Sequence, residues 1–191
     1  MDLVARLTTQ IEASIRARQE VLEVLAGPLA GAIEALTACL LDNGRILVCA
    51  DGEAQADAAR MSRRLLHGFE HPRPALAGIL IRNFAGDGSD DEETLARAVL
   101  ALGHPADILL AIAPQPCSPQ LIAALAAARE RELRCIVLAS EADSLLSELP
   151  GADDILLQLP AADGARSAEL IPLILDCLCD GIDCLLLGVE H

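Results

Sequence analysis

The side chains of this 191-residue chain with most chemistry in them are four histidines, seven cysteines and fourteen arginines, and spacing decides what each could do. His67 and His71 stand four apart with Glu70 between them, which would put two imidazoles on one helical face, as a metal site requires. Gly68 and Pro72 mark that stretch as a helix end, so the expected role is a dipole partner at the helix C-terminus. Cys177 and Cys184 share one helix face while Cys179 points elsewhere, so the three do not chelate. No CxxC pair occurs among Cys39, Cys49, Cys117, Cys135, Cys177, Cys179 and Cys184, and most lie inside apolar runs. They are expected to be reduced core residues of a cytoplasmic protein. Arg60, Arg63 and Arg64 form a basic turn that could hold a phosphate or an acidic partner, though a salt-bridged face is the simpler expectation. Arg166 and Glu169, three apart, read as an ion pair along a helix.

The elements that must position these groups follow from hydrophobic periodicity. Leu3, Leu7, Ile11 and Ile15, then Leu22, Leu25, Leu29, Ile33, Leu36 and Leu40, recur at steps of three, four and occasionally seven residues. This predicts two long helices bent at Gly27-Pro28, an N-terminal arm over 1–42. After Asn43-Gly44 come short apolar runs: Ile46–Cys49, Leu76–Ile81, Ile108–Ile112, Cys135–Leu138 and Ile155–Leu159. Helical stretches at about 53–67, 91–102, 118–131, 141–148 and 166–187 separate or follow them. Strands apolar on both faces and alternating with helices indicate a parallel sheet covered on each side. The expected fold is α/β, a three-layer α/β/α sandwich with a five-stranded parallel, flavodoxin-like sheet over 44–191, all in one domain. Ligands of such sheets sit at the carboxyl ends of the strands.

Composition removes other classes. Arginine supplies all of the Lys+Arg count of 14 against 29 Asp+Glu, a net charge of −15 that argues against direct nucleic-acid binding. Eleven acidic residues and only Arg166 among the basic ones fall between Glu141 and His191. That asymmetry could suit a basic protein partner. Pro114, Pro116 and Pro119 interrupt the uncharged run 108–128, so it is not expected to span a membrane.

Arg45-Ile-Leu-Val-Cys-Ala-Asp-Gly52, Phe69-Glu70 with Arg73-Pro74-Ala-Leu-Ala, Ala101–Ile112 and Cys177-Leu-Cys-Asp-Gly-Ile-Asp183 resemble the sugar isomerase (SIS) fold. The branch they resemble is that of phosphoheptose isomerase and the DnaA initiator-associating protein. In that family a G-N-G-x-S-A loop and an S-T-S-G-N-S loop receive a sugar phosphate. Here the first reads Ala50-Asp51-Gly52-Glu53-Ala54-Gln55, where Gly52 matches and Asp51 and Glu53 are expected to cap their own helix and repel phosphate. The second reads Ala113-Pro114-Gln115-Pro116-Cys117-Ser118, where Ser118 matches and serves as a helix N-cap before Pro119. The family's proton-transfer or metal-binding positions fall on Arg60, Arg64, Ala168 and Asp176, which supply no acid–base pair of suitable pKa. The degenerate ligand set that remains is Gly52, Ser118, Arg60, Arg64, Arg166 and Glu169, with no catalytic residue, no metal and no cofactor.

On this reading the chain is a noncatalytic protein-binding module. The resemblance implies a homotetramer joined by its N-terminal helices, with a replication initiator as a possible partner and sugar phosphate bound weakly or not at all. Two alternatives stay open: a phosphoheptose isomerase-like enzyme with a rearranged site, and a carbohydrate-phosphate sensor without turnover.

Overall fold

The structure, a computed structural model, describes residues 2–82, 93–113, 117–140, 151, 153–160 and 164–188. In chain order these form α1 (Leu3–Leu41), β1 (Ile46–Ala50), a 3-10 turn at Gly52–Ala54, α2 (Gln55–His67), β2 (Gly78–Leu80), α3 (Thr94–Leu102), β3 (Ile108–Ala113), α4 (Pro119–Glu130), β4 (Arg134–Ser140), β5 (Ile155–Leu159) and α5 (Gly164–Leu187). The five strands pair in parallel in the order β2-β1-β3-β4-β5. This is the expected flavodoxin-like sandwich. The stretch expected to be helical at 141–148 lies outside the described residues.

Pleating divides the core in two. Ile46, Val48 and Ala50 of β1 point to the side covered by α1, α2 and α5. Leu47 and Cys49 point to the side of α3 and α4. β1 and β3 are buried throughout, which is why they lack the polar alternation of a half-solvated strand.

The N-terminal arm differs from expectation: one helix runs unbroken from Leu3 to Leu41 with Pro28 inside it. A proline in a helix interior costs about 3 kcal/mol. Val21, Leu25, Ala32 and Leu36, which flank it, are buried against the rest of the chain. Burying each large side chain contributes about 1.5–3 kcal/mol and holds the helix together through the missing bond. α1 packs on α5 and β5. Gly181 allows that approach, since a Cβ there would stand 2.5 Å from Ile33. The opposite face of α1 leaves Leu3, Val4, Leu7, Ile11, Ile15, Leu22 and Val24 more than half exposed. By length and composition α1 could cross a bilayer; its apolar stretch follows Arg6, Glu12, Arg16, Arg18 and Glu20, and within it Ala32, Ala35, Leu36 and Cys39 are buried in the protein.

Candidate functional site

β1 and β3 are neighbours whose chains leave for opposite sides of the sheet, to α2 and to α4, and a crevice opens where they part. Gly52 opens the first loop at φ +47°, a left-handed conformation that glycine adopts without a Cβ penalty. Asp51 precedes it and is anchored by its own N–H, which donates to the Ile112 carbonyl at 3.0 Å.

The expected capping role of Asp51 is not what the structure shows. Its side chain makes no bond to the turn it opens. The carboxylate instead crosses the crevice, accepting the Ser118 N–H at 2.8 Å on Oδ2 and the Ser118 hydroxyl at 2.6 Å on Oδ1. Ser118 meets its own expectation as N-cap of α4, its Oγ accepting from Leu121 N–H at 3.1 Å. Gly52 and Ser118 are thus brought to the same crevice. Pro114, Gln115 and Pro116 lie outside the described residues.

Beside this crossing lies a cavity of about 450 Å³, lined by Asp51, Gly52, Glu53 and Asp57 on one wall and by Ala168 and Ile171 of α5 on the other. Asp57 was not among the residues singled out from sequence. Burial pushes its carboxyl above the usual range, and the nearby positive charge of Arg60 only partly offsets this. Its one local signal was the three-residue spacing to Arg60, whose guanidinium lies 3.6 Å away.

Arg60 and Arg64 converge on Asp176 of α5: Arg60 Nη2 stands 3.5 Å from Oδ1, and Arg64 Nη1 pairs with the same oxygen. Arg64 also lies over the Phe69 ring, 4.5 Å from its centroid. Burial and the neighbouring Arg60 and Arg63 charges lower its pKa. Three of the four family positions therefore meet, as an ion cluster rather than an acid–base pair. A buried pair joins the loop after α2 to α5 further along. Arg73 binds Asp183 through Nε and donates to the Leu65 carbonyl at 2.8 Å and the Arg64 carbonyl at 3.0 Å.

Arg166 and Glu169 form the expected pair at 2.6 Å, away from Arg60 and Arg64. They also tie α5 to α1, Arg166 donating to Gln10 Oε1 at 2.6 Å and Ser14 donating to Glu169 at 2.7 Å. The Ser14 hydroxyl is the main cause of the lowered Glu169 pKa. His67 is exposed at the end of α2. Among the described residues no three His, Cys, Asp or Glu side chains gather as a metal would need. Cys184 is exposed and Cys177 half-buried, unlike the buried cysteines expected throughout.

Residues 11–140 match the SIS domain model. A phosphoheptose isomerase of Aromatoleum aromaticum is 45% identical over 197 aligned positions, covering 100% of this chain and 99% of that protein. This chain belongs to the SIS domain family, in its phosphoheptose isomerase branch. The phosphoheptose isomerase of Azoarcus sp. is 41% identical to this SIS protein over the whole of both chains. The solved phosphoheptose isomerase of Francisella tularensis superposes at TM-score 0.86 with 31% identity, covering 96% of this chain and 99% of its own.

These relatives overturn the noncatalytic, initiator-associating reading. Full-length similarity at 45% and 41% runs to proteins named for an isomerase, and they carry no support for a role in replication. The isomerase-like alternative is the better supported one. The degenerate loops that suggested a binding module are local substitutions within an isomerase-type frame.

Proposed function

We propose that this protein is a sugar-phosphate isomerase of the phosphoheptose type with a rearranged proton-transfer site centred on Asp57. The observation that carries this reading is the cavity at the sheet's switch point, where Asp57 is the half-buried carboxyl with a raised pKa. Interconverting a ketose and an aldose moves a proton between adjacent carbons. One group must therefore take the proton and return it, and it does so best when its two forms are close in energy. Desolvation brings Asp57 toward that condition, while Arg60 at 3.6 Å keeps the deprotonated form accessible. Gly52 gives the substrate close access to the backbone of the first loop, since a Cβ there would meet nothing within 4 Å.

The test is turnover of sedoheptulose 7-phosphate by the purified protein, followed by NMR of the sugar. Product should form, and Asp57→Asn should reduce the rate at least about a hundredfold with an unchanged circular dichroism spectrum. No product from the natural protein would overturn the reading. A fully active Asp57→Asn would remove Asp57 from the chemistry.

The assembly is proposed as a homotetramer. Its support is the apolar stripe of α1, where Leu7 is 62% and Ile11 61% exposed in the single chain. Light scattering should give four times the 20.0 kDa chain mass, and Leu7→Glu with Ile11→Glu should lower it. A monomer at micromolar concentration would refute this. Buried, reduced thiols such as Cys49, Cys135 and Cys179 suit a reducing cytoplasm.

A further inference from the structure

We propose that Asp51 sets the substrate affinity of the pocket by acting as an internal anion on Ser118, one that the phosphate of a substrate must displace. The inference rests on the reading of this cavity as the substrate site. Asp51 spans 67 positions of sequence to take both polar hydrogens of Ser118, the N–H at 2.8 Å and the hydroxyl at 2.6 Å. The hydroxyl oxygen is already engaged as acceptor of Leu121 N–H at 3.1 Å, so the one hydroxyl proton goes to Asp51. The same carboxylate forms part of the cavity wall. A phosphate oxyanion and a carboxylate want the same donors, and both cannot hold them. If Asp51 stays in place its charge also faces the incoming phosphate, together with Glu53 and Asp57 on the same wall. The contact therefore weakens phosphate binding in two ways: the donors must be vacated, and a negative charge must move aside.

Occupancy can be separated from mere charge. Glu53 lies two residues on, on the same wall, and is exposed. Asp51→Asn keeps the side-chain size but removes the charge, and its amide nitrogen, a donor, replaces one carboxylate oxygen, so at most one of the two Ser118 hydrogens stays held. Inorganic phosphate titrated calorimetrically into the natural protein should bind in the tens of millimolar or weaker. It should bind Asp51→Asn at least tenfold tighter and Glu53→Gln no more than about twofold tighter. Adding Ser118→Ala to Asp51→Asn should reduce the gain, because the hydroxyl is lost while the N–H remains. In turnover, Asp51→Asn should lower KM for sedoheptulose 7-phosphate by a similar factor.

Micromolar phosphate binding by the natural protein would overturn the proposal, as would no gain in Asp51→Asn or an equal gain in Glu53→Gln. Phosphate titration needs no turnover. If neither protein isomerises sugar yet the Asp51 gain appears, the enzyme reading fails and this one stands. If turnover is present and the gain absent, the reverse holds.

Discussion

Two groups of ion pairs join α2 and its following loop to α5, and they differ in how much water reaches them. Arg73 and Asp183 are 1% and 3% exposed, and each is bonded further, Arg73 to carbonyls 64 and 65 and Asp183 to the Phe69 N–H at 3.3 Å. Arg60, Arg64 and Asp176 are 29%, 19% and 31% exposed and share one carboxylate between two cations. The first arrangement repays desolvation with a full set of hydrogen bonds and locks the helices together. The second leaves part of each side chain exposed while the atoms that meet, Arg60 Nη2, Arg64 Nη1 and Asp176 Oδ1, are buried with charge in excess, and it lies in the same α2–α5 layer as the cavity. The same residue types thus act as a rivet in one place and as an adjustable charge cluster in the other.

That contrast breaks most readily at the rivet. Asp183→Ala leaves a buried, unpaired Arg73 and should cost about 3–5 kcal/mol, read as a lowered denaturation midpoint. A loss below 1 kcal/mol would show that the pair is no lock.

At the amino end of the sheet a third pair sharpens the point through pH. Burial pulls the Asp107 carboxyl upward. The bonds it accepts from the Arg45 side chain and N–H and from His104 N–H, with the Arg45 charge, outweigh that and leave it below the usual carboxylate range. Its stabilising contribution is therefore present above the unfolded carboxylate pKa of about 4 and lost as pH falls below it. Asp107→Asn should cost about 2 kcal/mol at neutral pH and flatten the acid limb of the stability curve. Asp57 has the opposite sign: its raised pKa gives a contribution present below about pH 4 and lost as pH rises through its folded pKa. Asp57→Asn should then stabilise the protein at neutral pH while it removes activity, a trade visible in one thermal melt and one assay.

The adjustable cluster should be more forgiving. Asp176→Ala should cost about 1–2 kcal/mol, less than the rivet, because part of each of the three side chains stays in water although the atoms that meet are buried. A loss as large as that of Asp183→Ala would erase the distinction between the two groups. Smallest of all, Ser14→Ala should cost ~0.5 kcal/mol and raise the Glu169 pKa, measurable by NMR titration, since its hydroxyl is the main stabiliser of that carboxylate.

Much of this was legible in the chain itself. All five strands fall within a few residues of the apolar runs, and Ser118-Pro119 opens α4 as its types demand. Arg166 and Glu169 pair at the spacing a helix imposes. The bend expected at Gly27-Pro28 does not form, because the burial of Val21, Leu25, Ala32 and Leu36 around it outweighs the local breaker residues. The function is obscured in the chain for a related reason. Each replaced loop residue speaks only for its own position, whereas 45% identity across the full length reports on the whole frame.

By itself the sequence determined the order of the strands, their two-sided burial and the Ser118 cap of α4, because periodicity and capping act within one or two turns of chain. The tertiary structure alone decided that Asp51 meets Ser118 across 67 residues, that Arg73 meets Asp183 across 110, and that Asp57 faces a cavity with Ala168. Those meetings follow from strand order and helix docking, where hydrophobic burial selects the packing and polar partners are fixed only once the backbone has placed them within hydrogen-bond reach.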